Sequence, residues 1–317
     1  DVIRRQRQMC IRDRFFSQQV IILRKFRLNI YNLQTINFNF YKRMTLNIRG
    51  ELIDLSIPKV MGILNVTPDS FYDGGYYNSN AKILKQIEKM IEDGATIIDI
   101  GGYSSWPGAD DVAEKIEIDR VVPTLKDCKK YFPEIFFSID TFRSKVAEEC
   151  IHNGADIIND ISGGNLDTNM MKVVGKYQIP YIIMHMKGNP SNMVEKAKYN
   201  DIIGELISYF SKKIDEAANL NIKDIIIDPG FGFAKNISQN FELLNNLDFF
   251  KNLEKPMLVG LSRKSMIYKT LNIKADKALN GSTALHTISL IKGANILRVH
   301  DVKEAVECIK LVEELKK

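Results

Sequence analysis

Cysteine, histidine and long apolar runs are scarce in this chain, and each shortage removes a class of protein. Its four cysteines, Cys10, Cys128, Cys150 and Cys308, form no CxxC pair. That argues against a zinc ribbon and a disulfide framework, and makes a reducing cytoplasm the expected setting. Among the four histidines, His152 and His286 fall in helical segments, and no His/Asp cluster has transition-metal spacing. No apolar run reaches the length of a membrane span; Val20 to Leu23 is cut at once by Arg24 and Lys25. Internal repeats, low-complexity tracts and linkers rich in Pro or Ser are missing as well, so a repeat array is not expected.

Acidic residues are scarce in one region only. Residues 1 to 43 hold ten Lys/Arg against two Asp/Glu, a net of +8, while the whole chain carries +5 and the remainder therefore −3. The basic balance belongs to the tail, and the rest has no general electrostatic signature for nucleic acid. The tail is Arg-rich but too poor in Ser and Ala to match a transit peptide well. Residues 1 to 43 are expected to be disordered or foreign to the fold, with Met44 as the natural start. From there MTLNIRGELIDLS reads as a short hairpin leading into one domain, 44 to 317.

That domain is organised by eight short runs rich in β-branched residues, most of which stop at a group that can hold a charge or a hydrogen bond. They are Val60 to Asn65, Thr96 to Gly101, Ile135 to Asp140, Asp156 to Asp160, Tyr181 to His185, Ile225 to Asp228, Met257 to Ser262 and Ile296 to His300. Between them lie helical periods. Ile83, Leu84, Ile87, Met90 and Ile91 mark one from Asn80 to Asp93, stopped by Gly94. The last helix is expected to start at Asp301 as N-cap with Glu304 completing a capping box. Strands alternating with helices favour a parallel sheet, and eight such units fit an α/β fold of the (β/α)8 TIM-barrel class with an N-terminal hairpin and a disordered basic tail. In that fold Asn65, Asp99, Asp140, Asn159, Asp228, Lys264, Arg298 and His300 meet at one mouth. The long connections Thr67 to Asn78, Tyr103 to Asp111 and Lys187 to Tyr199 are expected to be functional loops.

IIIDPGFGFAK (225 to 235) holds an acid at a strand end, with two glycines that let the backbone pass close to a ligand and two phenylalanines offering flat surface. It is no dinucleotide fingerprint, since the third glycine of GxGxxG is missing; a tight turn with a capping Asp is the plainer reading. Asp228 can accept paired hydrogen bonds from a fused N–H and amino edge of a guanine-like or pterin ring. Asp140 and Asn159 would complete such an edge, or serve as helix caps; only one of Asn159 and Asp160 can face the mouth. LVGLSRKS (258 to 265) places Ser262, Arg263, Lys264 and Ser265 where a strand becomes a helix, a place suited to an anion, although no Walker loop is present; a solvated basic turn is the plainer reading. LRVHD (297 to 301) puts Arg298 and His300 on one side by alternation, at the barrel end where phosphate sites recur. His185 reads as a core or supporting histidine. Asn65 ends the first run, and an amide oxygen beside a diphosphate suits Mg²⁺; a structural Asn with a surface loop is the alternative.

Taken in order, GILNVTPDSF, DIGGYSSWPGA, SIDTF, INDISGG, MHMKGNP, DPGFGFAK, GLSRKSM and RVHDV resemble the dihydropteroate synthases of folate biosynthesis, from Lys59 to the C-terminus. The resemblance implies a TIM barrel, usually dimeric, that condenses 6-hydroxymethyl-7,8-dihydropterin pyrophosphate with p-aminobenzoate and releases pyrophosphate. Sulfonamides compete for the p-aminobenzoate position in that family. It further implies a pterin pocket of Asp140, Asn159, Asp228 and Lys264 with Met184 and Phe233 around it, and Mg²⁺ held by Asn65. Arg298 and His300 would bind the pyrophosphate, with Asp140 steadying a cation on the pterin methylene. Ser265 would take the p-aminobenzoate carboxylate, with Phe71, Pro107 and Phe233 along its ring and Thr67 and Ser105 at loop contacts. Asp99 joins the candidate residues without an assigned contact. No nucleic acid or membrane partner is implied.

One position departs from the family pattern. Members carry arginine between the second Ser or Thr and the Pro-Gly of the second loop, whereas here the run is Ser104-Ser105-Trp106-Pro107-Gly108. Tryptophan cannot replace that charge. The rival readings are a methyltetrahydrofolate-type pterin methyltransferase, which has no need of the SRKS and RVH anion site, and a non-catalytic pterin-binding paralogue.

Overall fold

The computed structural model describes residues 44–66, 75–103 and 112–317. Thr45–Ile48 (β1) and Glu51–Asp54 (β2) pair antiparallel, with Ile48 opposite Glu51. The two-residue turn between them, Arg49-Gly50, has positive φ at both positions (55° and 83°), the twist a tight hairpin needs. Arg49 tolerates this unfavourable conformation because its side chain is heavily bonded. It pairs with Asp156 through Nε and through Nη2 at 2.8 Å, donates to the carbonyls of Pro133 (2.8 Å) and Ile135 (2.7 Å), and lies 5.1 Å from the Phe136 ring centre.

Eight parallel strands alternating with helices follow. They are Lys59–Asn65 (β3), Ile97–Gly101 (β4), Phe136–Asp140 (β5), Ile157–Asp160 (β6), Tyr181–Met184 (β7), Ile225–Asp228 (β8), Leu258–Val259 (β9) and Ile296–Val299 (β10). The helices are Gly75–Glu92 (α1), Glu114–Tyr131 (α2), Ser144–His152 (α3), Met170–Tyr177 (α4), Ile202–Asn219 (α5), Ile237–Asn245 (α6), Ser265–Thr270 (α7), Leu279–Ile291 (α8) and Val302–Glu314 (α9). The sheet runs β8-β7-β6-β5-β4-β3-β10-β9, and a bridge between Ile227 and Met257 joins its two ends. With the Ile227 N–H donating to the Pro256 carbonyl at 2.9 Å, the ring closes into an α/β barrel of the TIM type.

Alternation along the strands sorts the interior into levels. Leu46, Ile48 and Leu55 from the hairpin pack against Met61, Ile97, Phe136, Ile157, Ile182, Ile226, Leu258 and Ile296, an apolar floor contributed by all eight strands. Two residues further along each strand, on the same face, stand Ile63, Asp99, Ser138, Asn159, Met184, Asp228, Gly260 and Arg298. The intervening residues, such as Ile98, Ile139, Ile183 and Ile227, point outward into the larger core against the helices. A dry floor beneath a polar level is what concentrates chemistry at the C-terminal mouth.

Three expectations are adjusted. Helix α1 begins at Gly75, ahead of Asn80. Asp301 stands at the N-cap position of α9 but makes no cap bond, because its carboxylate takes the Arg263 fork at 2.9 and 2.5 Å. A charge-assisted bidentate pair outcompetes a single amide contact. The segment from Lys187 to Tyr199 is stitched down: Lys187 reaches Glu205 and the Lys198 carbonyl, both at 2.7 Å, and the Tyr199 hydroxyl donates to the Ala234 carbonyl at 2.8 Å. Residues 67–74 and 104–111, the other two connections, lie outside the described residues. Among the described residues no helix is long and apolar enough to cross a membrane.

Candidate functional site

Closure of the barrel brings β10 beside β3 and aims Arg298 across the interior. Its Nε donates to Asp99 Oδ2 and its Nη2 to Asp140 Oδ2, each at 2.6 Å, over sequence separations of 199 and 158 residues. Asp99 is fully buried. The same Oδ2 also accepts from Asn159 Nδ2 at 2.9 Å. One oxygen on β4 thus holds an arginine from β10 and an asparagine from β6. Asp99 Oδ1 and Ser138 Oγ are buried without a hydrogen-bond partner among the described residues. Asp99 and Ser138 are opposite each other in the β4–β5 register, so these two unmet groups belong to adjacent positions.

Asn159 and Asp160 divide as alternation requires. Asn159 faces the interior, while Asp160 turns outward to accept from Tyr181 (2.6 Å), the Ser162 hydroxyl (2.7 Å) and the Gly164 N–H (2.8 Å). Asp160 is therefore an anchor for the turn after β6.

On the opposite wall Asp228 ends β8, with Oδ1 accepting the Gly230 N–H at 2.8 Å. The loop behind it depends on its glycines. At Gly230 (φ +71°) a Cβ would stand 2.2 Å from the His185 carbonyl, and at Gly232 (φ +79°) 2.9 Å from Lys264 Cδ. Lys264 runs through that gap, donates to the Phe231 carbonyl and sets its Nζ 4.6 Å from the Phe233 ring centre. Met184 and half-buried Phe233 belong to a small apolar cluster with Ile161, Met186, Met193 and Ala234. Lys235 fastens the loop from below, donating to the carbonyls of Gly230 (2.9 Å) and Phe233 (3.0 Å), with His185 Nδ1 at 3.2 Å. Sequence reasoning passed over Lys235; its place at the end of a Gly-Phe-Gly-Phe turn was the available signal.

The anion candidates are partly committed. Ser265 opens α7, and Lys264 precedes it as its N-cap. Arg263 is drawn away from the mouth by Asp301. His300 is solvent-exposed, and Ser262 Oγ is 3.1 Å from its Nδ1. Asn65 is exposed at the top of β3; a Cβ on Gly101 would lie 3.6 Å from both the Asn65 Oδ1 and the Asp140 Cβ, so those two side chains flank one backbone position. Among the described residues no group of three or more His, Cys, Asp or Glu is arranged around a metal. An exposed amide oxygen fits a hydrated ion that asks few ligands of the protein, as Mg²⁺ does. Thr67, Phe71, Ser105, Pro107 and the departure at Trp106 lie outside the described residues.

Burial shapes the charges. It pushes Asp140 up to about 7, against the pull of Arg298 and with the help of Asp99. Burial would lower Arg298, but Asp99 and Asp140 outweigh it and hold the guanidinium above its usual range. Burial also raises Asp228, which Lys264 opposes. Lys264 itself falls to about 8 and Lys235 to about 7, both by burial against the attraction of Asp228. His300 is exposed on one side, yet the protein packed around the rest of the ring, followed by the Arg298 charge, takes it down to about 4, leaving a neutral imidazole. The mouth therefore offers carboxylate and amide acceptors interleaved with the cations Arg298 and Lys264, and flat apolar surface beside them, a combination suited to a polar heterocycle carrying an anionic group.

The profile of pterin binding enzymes matches residues 61–300. The chain is 44% identical over 272 residues to the dihydropteroate synthase of Escherichia coli K12, spanning 85% of this chain and 96% of that one. It is 42% identical over 270 residues to the dihydropteroate synthase of Haemophilus influenzae, spanning 84% and 98%. Among solved structures, the Yersinia pestis dihydropteroate synthase with a sulfonamide drug superposes with a TM-score of 0.81 at 42% identity, covering 86% of this chain and 99% of that one. The Thermus thermophilus enzyme in complex with 4-aminobenzoate gives 0.77 at 32% identity, with 86% and 99% covered.

Proposed function

Since the chain belongs to the dihydropteroate synthases, transferases of the pterin-binding enzyme family, we propose that it condenses 6-hydroxymethyl-7,8-dihydropterin pyrophosphate with p-aminobenzoate to 7,8-dihydropteroate and pyrophosphate. The observation that carries this reading is the convergence on one mouth of Asn159 and Arg298, both bonded to Asp99, with Asp228 and Lys264 on the facing wall. Asp228 and Asn159 read the donor edge of the pterin, with Lys264 on its carbonyl side and Met184 and Phe233 against the ring. Arg298 and His300 meet the diphosphate. An approaching anion raises the His300 pKa from about 4, so diphosphate binding takes up a proton at low pH.

The substitution is dissociative in this account: the C–O bond to diphosphate breaks first, and the methylene cation shared with the pterin ring is steadied by the Asp140 carboxylate. The aniline nitrogen then attacks the methylene carbon with its lone pair to form the C–N bond, and its proton passes to the released diphosphate or to solvent, with no covalent enzyme intermediate. Asn65 would hold Mg²⁺, and the chemistry that ion would supply when bound is neutralisation of charge on the leaving group. Ser265 and the first turn of α7 receive the p-aminobenzoate carboxylate, with Phe233, Phe71 and Pro107 beside its ring and Thr67 and Ser105 at the loops. The sulfonamide and 4-aminobenzoate complexes of the Yersinia and Thermus relatives support placing that substrate, and sulfonamide competition, here. A homodimer is proposed too, supported by apolar residues left exposed on adjoining helices α8 and α9, among them Ile291 and Leu311; sedimentation at the mass of one chain would overturn it.

Isothermal titration with dihydropterin and with its pyrophosphate tests the division of labour. Asp228→Ala is expected to lose mainly pterin binding. Arg298→Ala is expected to keep most dihydropterin affinity while losing turnover and the extra affinity of the pyrophosphate. Equal losses for both ligands in the Arg298 variant would contradict the assignment.

A further inference from the structure

We infer that Asp99 is the positioning residue of the mouth: through the single oxygen Oδ2 it orients both Asn159 at the heterocycle end and Arg298 at the anion end, and it keeps both partners when substrate is bound. The inference rests on the functional reading above for what those two ends bind. Asp99 itself is fully buried, so no substrate atom reaches it. The bonds are short, 2.6 Å from Arg298 Nε and 2.9 Å from Asn159 Nδ2, and their donors stand on strands to either side of β4 in the sheet order.

The second carboxylate on Arg298 stands differently. The Asp99 side chain has 0% exposure, whereas that of Asp140 has 16% and sits at the top of β5, where an incoming ligand arrives. A ligand can replace Asp140 at Nη2, or pair with Asp140 in turn, without disturbing Nε. The structure therefore separates a permanent partner from an exchangeable one. A guanidinium held by Nε alone keeps its plane and offers Nη1 and Nη2 to the diphosphate, which is the preorganisation that makes a fixed donor effective. Asn159, with Nδ2 committed to Asp99, is left with Oδ1 as acceptor and one remaining amide hydrogen.

The test reads orientation directly. Protein carrying ¹⁵N-labelled arginine is expected to show one Nε–H resonance, assigned to Arg298 by its loss in Arg298→Lys, that exchanges slowly in the resting protein. That protection is expected to survive saturating inorganic diphosphate. In Asp99→Ala the protection disappears and dihydropterin affinity falls about tenfold or more, the scale of one lost charge-assisted bond. In Asp99→Asn an amide oxygen stands where Oδ2 stands, and pterin affinity returns to within about threefold of the native protein.

Protection that is absent at rest, or is stripped by diphosphate, would overturn the inference even if no Asp99 variant folds. So would an Asp99→Ala protein that folds and binds dihydropterin as the native one does. Failure of the native protein to bind dihydropterin would instead count against the functional reading, while the Nε–H signal at rest would still judge Asp99.

Discussion

Removing Arg298 should produce a stability defect that depends on pH in a direction the structure dictates. In Arg298→Ala two carboxylates lose their cation, Asp99 with no side-chain exposure and Asp140 with 16%. Breaking a buried pair by deleting one partner leaves an uncompensated charge, and costs about 3–5 kcal/mol. Part of that is recoverable by protonation. Asp140 is already pushed up to about 7 by burial while Arg298 opposes the shift, so loss of Arg298 raises it further. A carboxyl whose folded pKa exceeds its unfolded value near 3.9 stabilises the fold only when protonated, and that stability is lost as pH rises through the folded pKa. The defect should therefore be about 3–5 kcal/mol at pH 8 and smaller by about 1 kcal/mol at pH 6 and below, because the native Asp140, at about 7, is itself protonated there and only the interval above pH 7 separates the two proteins. The slope cannot exceed about 1.4 kcal/mol per pH unit for one proton. Urea denaturation of both proteins at pH 5, 6, 7 and 8 measures it. A defect below about 1 kcal/mol at every pH, or one that grows on acidification, would refute the reasoning.

Further outcomes follow from other parts of the fold. Arg49→Ala, which unlatches the hairpin turn from Asp156 and two carbonyls, is expected to cost about 2–3 kcal/mol after allowance for its partial exposure, with turnover unchanged. Asp156→Ala should cost more, since it also strands Lys129 and the Phe137 N–H, which bond Asp156 at 2.6 and 2.7 Å; denaturant melts that rank the two in the opposite order would contradict the latch. His286 is buried on α8 with neither ring nitrogen bonded among the described residues, and burial takes it from 6.5 to about 4. Its neutral form belongs to the fold, so stability present above pH 6.5 falls as pH drops towards 4, by up to about 3 kcal/mol. His286→Leu should flatten melting temperature across that window; an unchanged slope would show that the ring finds a partner. Trp106→Arg should raise turnover or p-aminobenzoate affinity, and steady-state kinetics showing neither would separate this chain from the family's use of that position.

What could be read ahead of the structure, and what could not, follows from the range of the interactions. The strands and the polar groups at their ends are local facts, visible as β-branched runs stopped by Asn65, Asp140 or Asp228. Alternation even sorts Asn159 from Asp160 in principle, although it takes the register with β5 to say which one faces in. Asp99 resisted because its partners lie 60 and 199 residues away, and only ring closure makes them neighbours. The Asp301 cap failed for a related reason: Arg263, 38 residues earlier, offers that carboxylate a better partner than its own helix does. Strand β9 is shorter than its apolar run, the ladder being limited to Leu258 and Val259 before the turn that carries Lys264.

The most direct test of the account is the release of diphosphate from 6-hydroxymethyl-7,8-dihydropterin pyrophosphate, followed in Mg²⁺ with increasing p-aminobenzoate. Release is expected to saturate with p-aminobenzoate and to yield one diphosphate for each dihydropteroate formed. Intact pyrophosphate ester after prolonged incubation with folded protein and both substrates would contradict it.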